Sequence, residues 1–157
     1  MLRITIPAGT PAGVYYIHMD NPDERVGFLF EALTIVNPTP TVTGIAPAEA
    51  SNDAPVSVVI SGTNFVEGAA GRLEMDGEVI TGIAVTVTSP TQIEATFDLT
   101  HAAVGAYDVV VTNPGPWAPT GRQLEGFTVK QAAKRVFLPL VENGVAHLSS
   151  GVRFRDR

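Results

Sequence analysis

A chain of 157 residues, 45% hydrophobic and 17% charged, has room for one ordinary folded domain plus extensions. Cysteine is absent, which excludes disulfides and thiolate metal sites without identifying a compartment. The formal charge of −6 is uneven: residues 39–130 hold three basic and ten acidic side chains, whereas 131–157 hold five and two. An acidic central stretch repels phosphate and argues against nucleic acid as a partner.

The chain opens on "LRITIPAG" (2–9), which alternates apolar and polar residues like a strand and lacks the pattern of a signal peptide. Any export signal is expected outside these residues, and no apolar run approaches the roughly 18–20 residues of a membrane-spanning helix. "GVYYIHMDNPD" (13–23) and "EALTIV" (31–36) follow as strands, and Asn37-Pro38-Thr39-Pro40 reads as a linker. "TVTGIAP" (41–47) is a short strand, and "APVSVVISG" (54–62) points Val56, Val58 and Ile60 to one face. "GRLEMDGEVI" (71–80) turns at Asp76-Gly77, because glycine tolerates positive φ. "GIAVTVTS" (82–89), "TQIEATFDL" (91–99), "AYDVVVTN" (106–113) and "LEGFTVK" (124–130) complete seven short strands. No segment sustains a helical stripe. The pattern predicts an all-β, immunoglobulin-like Greek-key β-sandwich over 39–130.

A repeat organises the chain. Gly13 and Gly105, Tyr15 and Tyr107, and Asn21 and Asn113 are paired at one constant offset, each followed by similar strand text. A tyrosine near the start of such a strand packs its ring in the core and bonds its hydroxyl to upstream backbone, and Tyr107→Phe is expected to cost about 0.5–1.5 kcal/mol. "LRITIPAG" parallels "IEATFDLT", and "EALTIV" parallels "EGFTVK". Residues 1–38 therefore read as the last three strands, with linker start, of a module preceding the whole one, with an additional partial sandwich as the result. A tandem array cut in the middle is the simplest origin. The orphan half needs cover for Leu2, Ile4, Ile6, Tyr15, Ile17, Met19 and Ile35. "KRVFLPLV" (134–141), within the basic tail 131–157, reads as an edge strand able to pad it in cis or in a dimer; otherwise the half self-associates through its edges or stays uncovered.

The opening Val42-x-x-Ile45-x-Pro47, "SGTNF" (61–65), "SPTQI" (89–93), "GAYDVVVTN" (105–113) and the closing "FTV" together resemble the IPT/TIG domain, an immunoglobulin-like fold. The resemblance spans about 39–130. It implies a noncatalytic extracellular or cell-surface module used for spacing, adhesion or protein contact, with neighbouring repeats or another protein as partner. Within "SGTNF", Gly62 permits a sharp turn, Asn64 bonds loop backbone and Phe65 plugs the sandwich end.

Candidate chemistry is sparse. His18, His101 and His147 stand at no metal-ligand spacing and read as structural or solvated. "DNPDE" (20–24) clusters carboxylates without the glycine or spacing of a calcium loop and reads as a solvated turn. No enzyme motif, cofactor motif or metal site is expected. Trp117, in "NPGPWAPT", either folds back over the sandwich end or stands out to stack on a sugar or anchor a protein. The second choice makes the chain an accessory glycan-contacting domain of a polysaccharide-active enzyme.

Overall fold

The computed structural model describes residues 3–7 and 9–133, and every described element is a β-strand. Two strands, β1 (Gly13–Asp20) and β2 (Val26–Ile35), form an antiparallel hairpin of their own. Eight more make the main body: β3 (Thr41–Ala46), β4 (Glu49–Ser51), β5 (Pro55–Thr63), β6 (Ala70–Met75), β7 (Glu78–Ser89), β8 (Gln92–Asp98), β9 (Gly105–Thr112) and β10 (Thr120–Lys130). One sheet runs β3-β5-β8-β7 and the other β7-β6-β9-β10-β4, so the body is a two-sheet sandwich.

β7 belongs to both sheets. Its first residues, Glu78–Thr81, pair with β6 across the Asp76-Gly77 turn, whose φ values of 45 and 89° are those of a tight hairpin. From Gly82 onward the strand pairs with β8. A Cβ on Gly82 would lie 2.6 Å from a Val85 methyl and 3.1 Å from the Gly71 carbonyl oxygen, so the crossing needs a residue without a side chain. The sequence pattern splits this stretch into two strands, 71–80 and 82–89, whereas the backbone passes through without a break.

The core follows the alternation. Val58 and Ile60 of β5, Leu73 of β6, Ile93 and Phe97 of β8, Tyr107, Val109 and Val111 of β9, and Phe127 and Val129 of β10 are buried between the sheets. At ~25 cal/mol per Å² of apolar surface, each fully buried aliphatic side chain contributes about 1.5–3 kcal/mol against exposure.

Other departures from the sequence reading have local causes. β4, three residues long, carries too little pattern to be seen and pairs in parallel with the end of β10. β10 starts at Thr120 rather than 124 and β2 at Val26 rather than 31. Both are interrupted by a bulge that breaks the alternation: the three residues between Gln123 and Phe127 face one on β9, Asp108, and the three between Leu29 and Leu33 face one on β1, Tyr16. Residues 3–7 form no strand, although they alternate, because they have no ladder partner; Ile4 and Ile6 are exposed. The first segment thus shows two strands among the described residues, not three. Leu2, His147 and the 134–141 segment lie outside the described residues.

Candidate functional site

Four residues singled out from the sequence, Gly62, Asn64, Phe65 and Asn113, lie at one pole of the sandwich, where the 37–40 linker joins it. Asn113, fully buried at the end of β9, is the centre. Its Nδ2 donates to the carbonyls of Pro38 (2.9 Å) and Asn64 (2.7 Å), and its Oδ1 accepts from the Val66 amide (3.2 Å). Its own amide donates to the Pro119 carbonyl at 2.9 Å. The side chain therefore ties the linker to the β5–β6 loop while the amide of the same residue holds the β9–β10 loop, and each side-chain polar atom is satisfied without water. Asn37 adds a second tie, donating to the Pro114 carbonyl at 2.8 Å.

The "SGTNF" residues surround this knot. Asn64 holds φ of 60° and donates to the Thr39 carbonyl at 3.1 Å. Phe65 is buried, and its amide donates to the Pro90 carbonyl at 2.9 Å. Gly62 lies so close to β3 that a Cβ would stand 1.9 Å from the Thr41 carbonyl oxygen. At the opposite pole, Gly105 starts β9 with a Cβ position only 2.4 Å from the Met75 sulfur. The Tyr107 ring is buried and its hydroxyl donates to the Ala103 carbonyl at 3.0 Å. Burial first, then the Glu78 carboxylate, pushes its pKa from 10.0 to about 12.

The hairpin repeats this construction. The Tyr15 hydroxyl donates to the Pro11 carbonyl at 2.7 Å, four residues upstream as in the Tyr107 bond. Gly13 pairs with Ile35, Tyr15 with Leu33, Ile17 with Leu29 and Met19 with Gly27; Gly105 pairs with Val129, Tyr107 with Phe127, Val109 with Gln123 and Val111 with Gly121. Both bulges hold a glutamate at φ of 50°, Glu31 and Glu125. Asn21 departs from its counterpart: it is exposed, and its amide donates to the Arg25 carbonyl at 2.9 Å to close the turn.

Among the described residues, three surfaces stand out as open to a partner. Trp117 stands out from the β9–β10 loop with 82% of its surface exposed, on a backbone at φ of 64°, rather than folding back over the sandwich end. On the outer face of the β6–β9–β10 sheet, an open depression of about 590 Å³ is lined by Glu74, Asp76, Glu78, Asp108, Arg122 and Glu125. Arg122 bridges Asp108 (2.6 Å) and Glu74 there, and Arg72 bonds Glu74 and the Thr112 hydroxyl. The Arg72 hydrogen bond and the two guanidinium charges hold Glu74 below the usual carboxylate range, and the Glu125 amide followed by Arg122 does the same for Asp108.

The third surface escaped the sequence reading. The outer face of the hairpin carries Tyr16, His18, Phe28 and Phe30. His18 stacks on Phe28 with centroids 4.5 Å apart, Phe28 on Phe30 at 6.0 Å, and Tyr16 leans on both phenylalanines. His18 also meets Asp20 at 3.2 Å. Phe30 is 74% and Tyr16 62% exposed. The alternation of Phe28 and Phe30 was the available signal; starting the strand at 31 hid it. His101 sits in a turn at φ of 66°, and the 20–24 carboxylates are exposed, with Asp23 3.5 Å from Arg25.

The chain matches no protein-family model, and no curated protein matches it in sequence. Among the described residues no group of three His, Asp or Glu side chains is placed to hold a metal, and no helix is long and apolar enough to cross a membrane.

Proposed function

We propose that residues 39–130 are an immunoglobulin-like module of the IPT/TIG kind and that 1–38 are the closing part of a preceding one. The chain then works as a noncatalytic spacing and protein-contact element at a cell surface or outside the cell. The observation that carries this reading is the doubled hairpin: the same register, the same two-residue excess in the second strand, the same glutamate at positive φ and the same tyrosine bond occur twice. A tandem repeat accounts for all four details at once. The polar side chains at the sandwich pole are spent on tying loops together, which suits a rigid spacer. The acidic outer face favours surface modules over readers of nucleic acid.

A second reading rests on Trp117. An indole held clear of the protein on a turn can stack on a sugar ring, as an accessory domain of a polysaccharide-active enzyme requires. Titrating soluble β-glucan, xylan and chitin oligomers while following Trp117 fluorescence separates the two. The spacer reading expects flat titrations. Saturable quenching, with binding heat in calorimetry that is lost in Trp117→Ala, replaces it with the glycan reading.

A further inference from the structure

The β1 edge of the hairpin, unpaired among the described residues, is built as an interior strand. Its counterpart β9 is paired on both sides, with β10 on one edge and β6 on the other. β1 pairs only with β2 among the described residues. From Gly13 to Met19 it holds no proline, lysine, arginine or carboxylate, the residues that normally protect a sheet edge.

The chemistry of the missing neighbour can be read by comparing the two hairpins position by position. In the sandwich, β6 is held on the outer face by charge: Glu74 bridges to Arg122, and Arg122 to Asp108. The positions of Asp108 and Arg122 are taken in the hairpin by Tyr16 and Phe28, and that of Leu124 by Phe30. A strand of the β6 kind would bring its Glu74 carboxylate onto an aromatic row that offers no guanidinium, and only Asp20, at the Thr112 position, would meet its Arg72. The edge instead fits a strand with aromatic residues on one face and aliphatic ones on the other. β1 itself has that pattern, with Tyr16 and His18 on one face and Tyr15, Ile17 and Met19 on the other.

We propose that β1 pairs antiparallel with β1 of a second copy of this chain, about a two-fold axis at Ile17. This rests on reading the hairpin as part of a module. Ile17 then lies opposite Ile17 of the second copy, Tyr15 opposite its Met19, and Tyr16 opposite its His18. The aromatic row continues across the axis on one face and the aliphatic row on the other, and the two hairpins become one four-stranded sheet. A register shifted by one residue would set aromatic against aliphatic faces and is disfavoured. The isologous contact closes at two copies.

The chain has no cysteine, so a single introduced thiol reports the axis. Ile17→Cys places two thiols on directly opposed residues, within disulfide range; Phe28→Cys, on the far strand, does not. The expected result is a wild-type mass of two chains by light scattering, and oxidative crosslinking of I17C about tenfold or more faster than of F28C. Tyr16→Ser combined with His18→Ser is expected to return the mass to one chain. A monomeric wild type, or crosslinking of F28C as fast as I17C, overturns the pairing. Neither outcome bears on the glycan titration, so the pairing and the spacer reading fail separately.

Discussion

Replacing Asn113 by alanine tests the view that the sandwich pole is organised by one side chain. The substitution removes three side-chain hydrogen bonds and leaves the Val66 amide and the Pro38 and Asn64 carbonyls without those partners. Each bond contributes about 1 kcal/mol net, so the loss is about 3 kcal/mol, with more where water cannot reach the freed groups. For a module of this size, 1 kcal/mol moves Tm by about 4–8 °C, so a drop of roughly 12–24 °C is expected. Far-UV circular dichroism melts measure it. Trp117 fluorescence does not serve, because that side chain is exposed in the folded protein. Asn21→Ala is the control: the repeat gives it the same position, but the side chain is exposed and the turn is closed by backbone. It is expected to stay within about 0.5 kcal/mol of the parent. Equal, small effects at both positions would refute the reasoning.

Gly62→Ala forces a Cβ against the Thr41 carbonyl oxygen and the Phe65 ring; a loss of about 3 kcal/mol is expected in urea denaturation, and an unchanged midpoint contradicts the close approach. Tyr107→Phe is expected to cost about 1 kcal/mol at neutral pH. In the parent the folded phenol titrates at about 12 against an ordinary 10.0, so the neutral ring's contribution is complete below pH 10 and is lost as pH rises through 12. That alkaline loss should be missing in the variant, and its persistence would assign it elsewhere. Arg122→Gln destabilises at neutral pH by removing one partner each from Glu74, which keeps Arg72, and from Asp108, which keeps the Glu125 amide. Both carboxyls are held low in the folded state, so the contribution is present above their ordinary range and fades as pH falls. A difference between parent and variant that stays constant under acid refutes that assignment.

Alternation made β5, β8 and β9 legible, since each has one face in a dry core and one facing out. The Asp76-Gly77 turn was legible from chemistry alone. Bulges were not: two extra residues after Gln123 and after Leu29 shift the pattern, and β10 and β2 were each cut short. Nor was the sheet crossing at Gly82, because a glycine between two alternating runs reads as a break and only the packing shows the strand continuing. Residues 3–7 show the converse: alternation without a partner leaves no strand. The role of Asn113 was half visible. Its place before Pro114 marks a strand end, but its three loop partners lie 47 to 75 residues away in sequence.

The chain enters the sandwich at the pole held by Asn113 and leaves it at the other, where the Asn52 side chain accepts from the Ala132 amide. Tension applied to the two ends pulls β4 backward and β10 forward. These strands run parallel, joined from Thr128 to Lys130 against Glu49 to Ser51, so their bonds are loaded in shear, together rather than one by one. A pull along the chain is thus borne across the sandwich before it yields, which is a mechanical property set by where two asparagines anchor the chain.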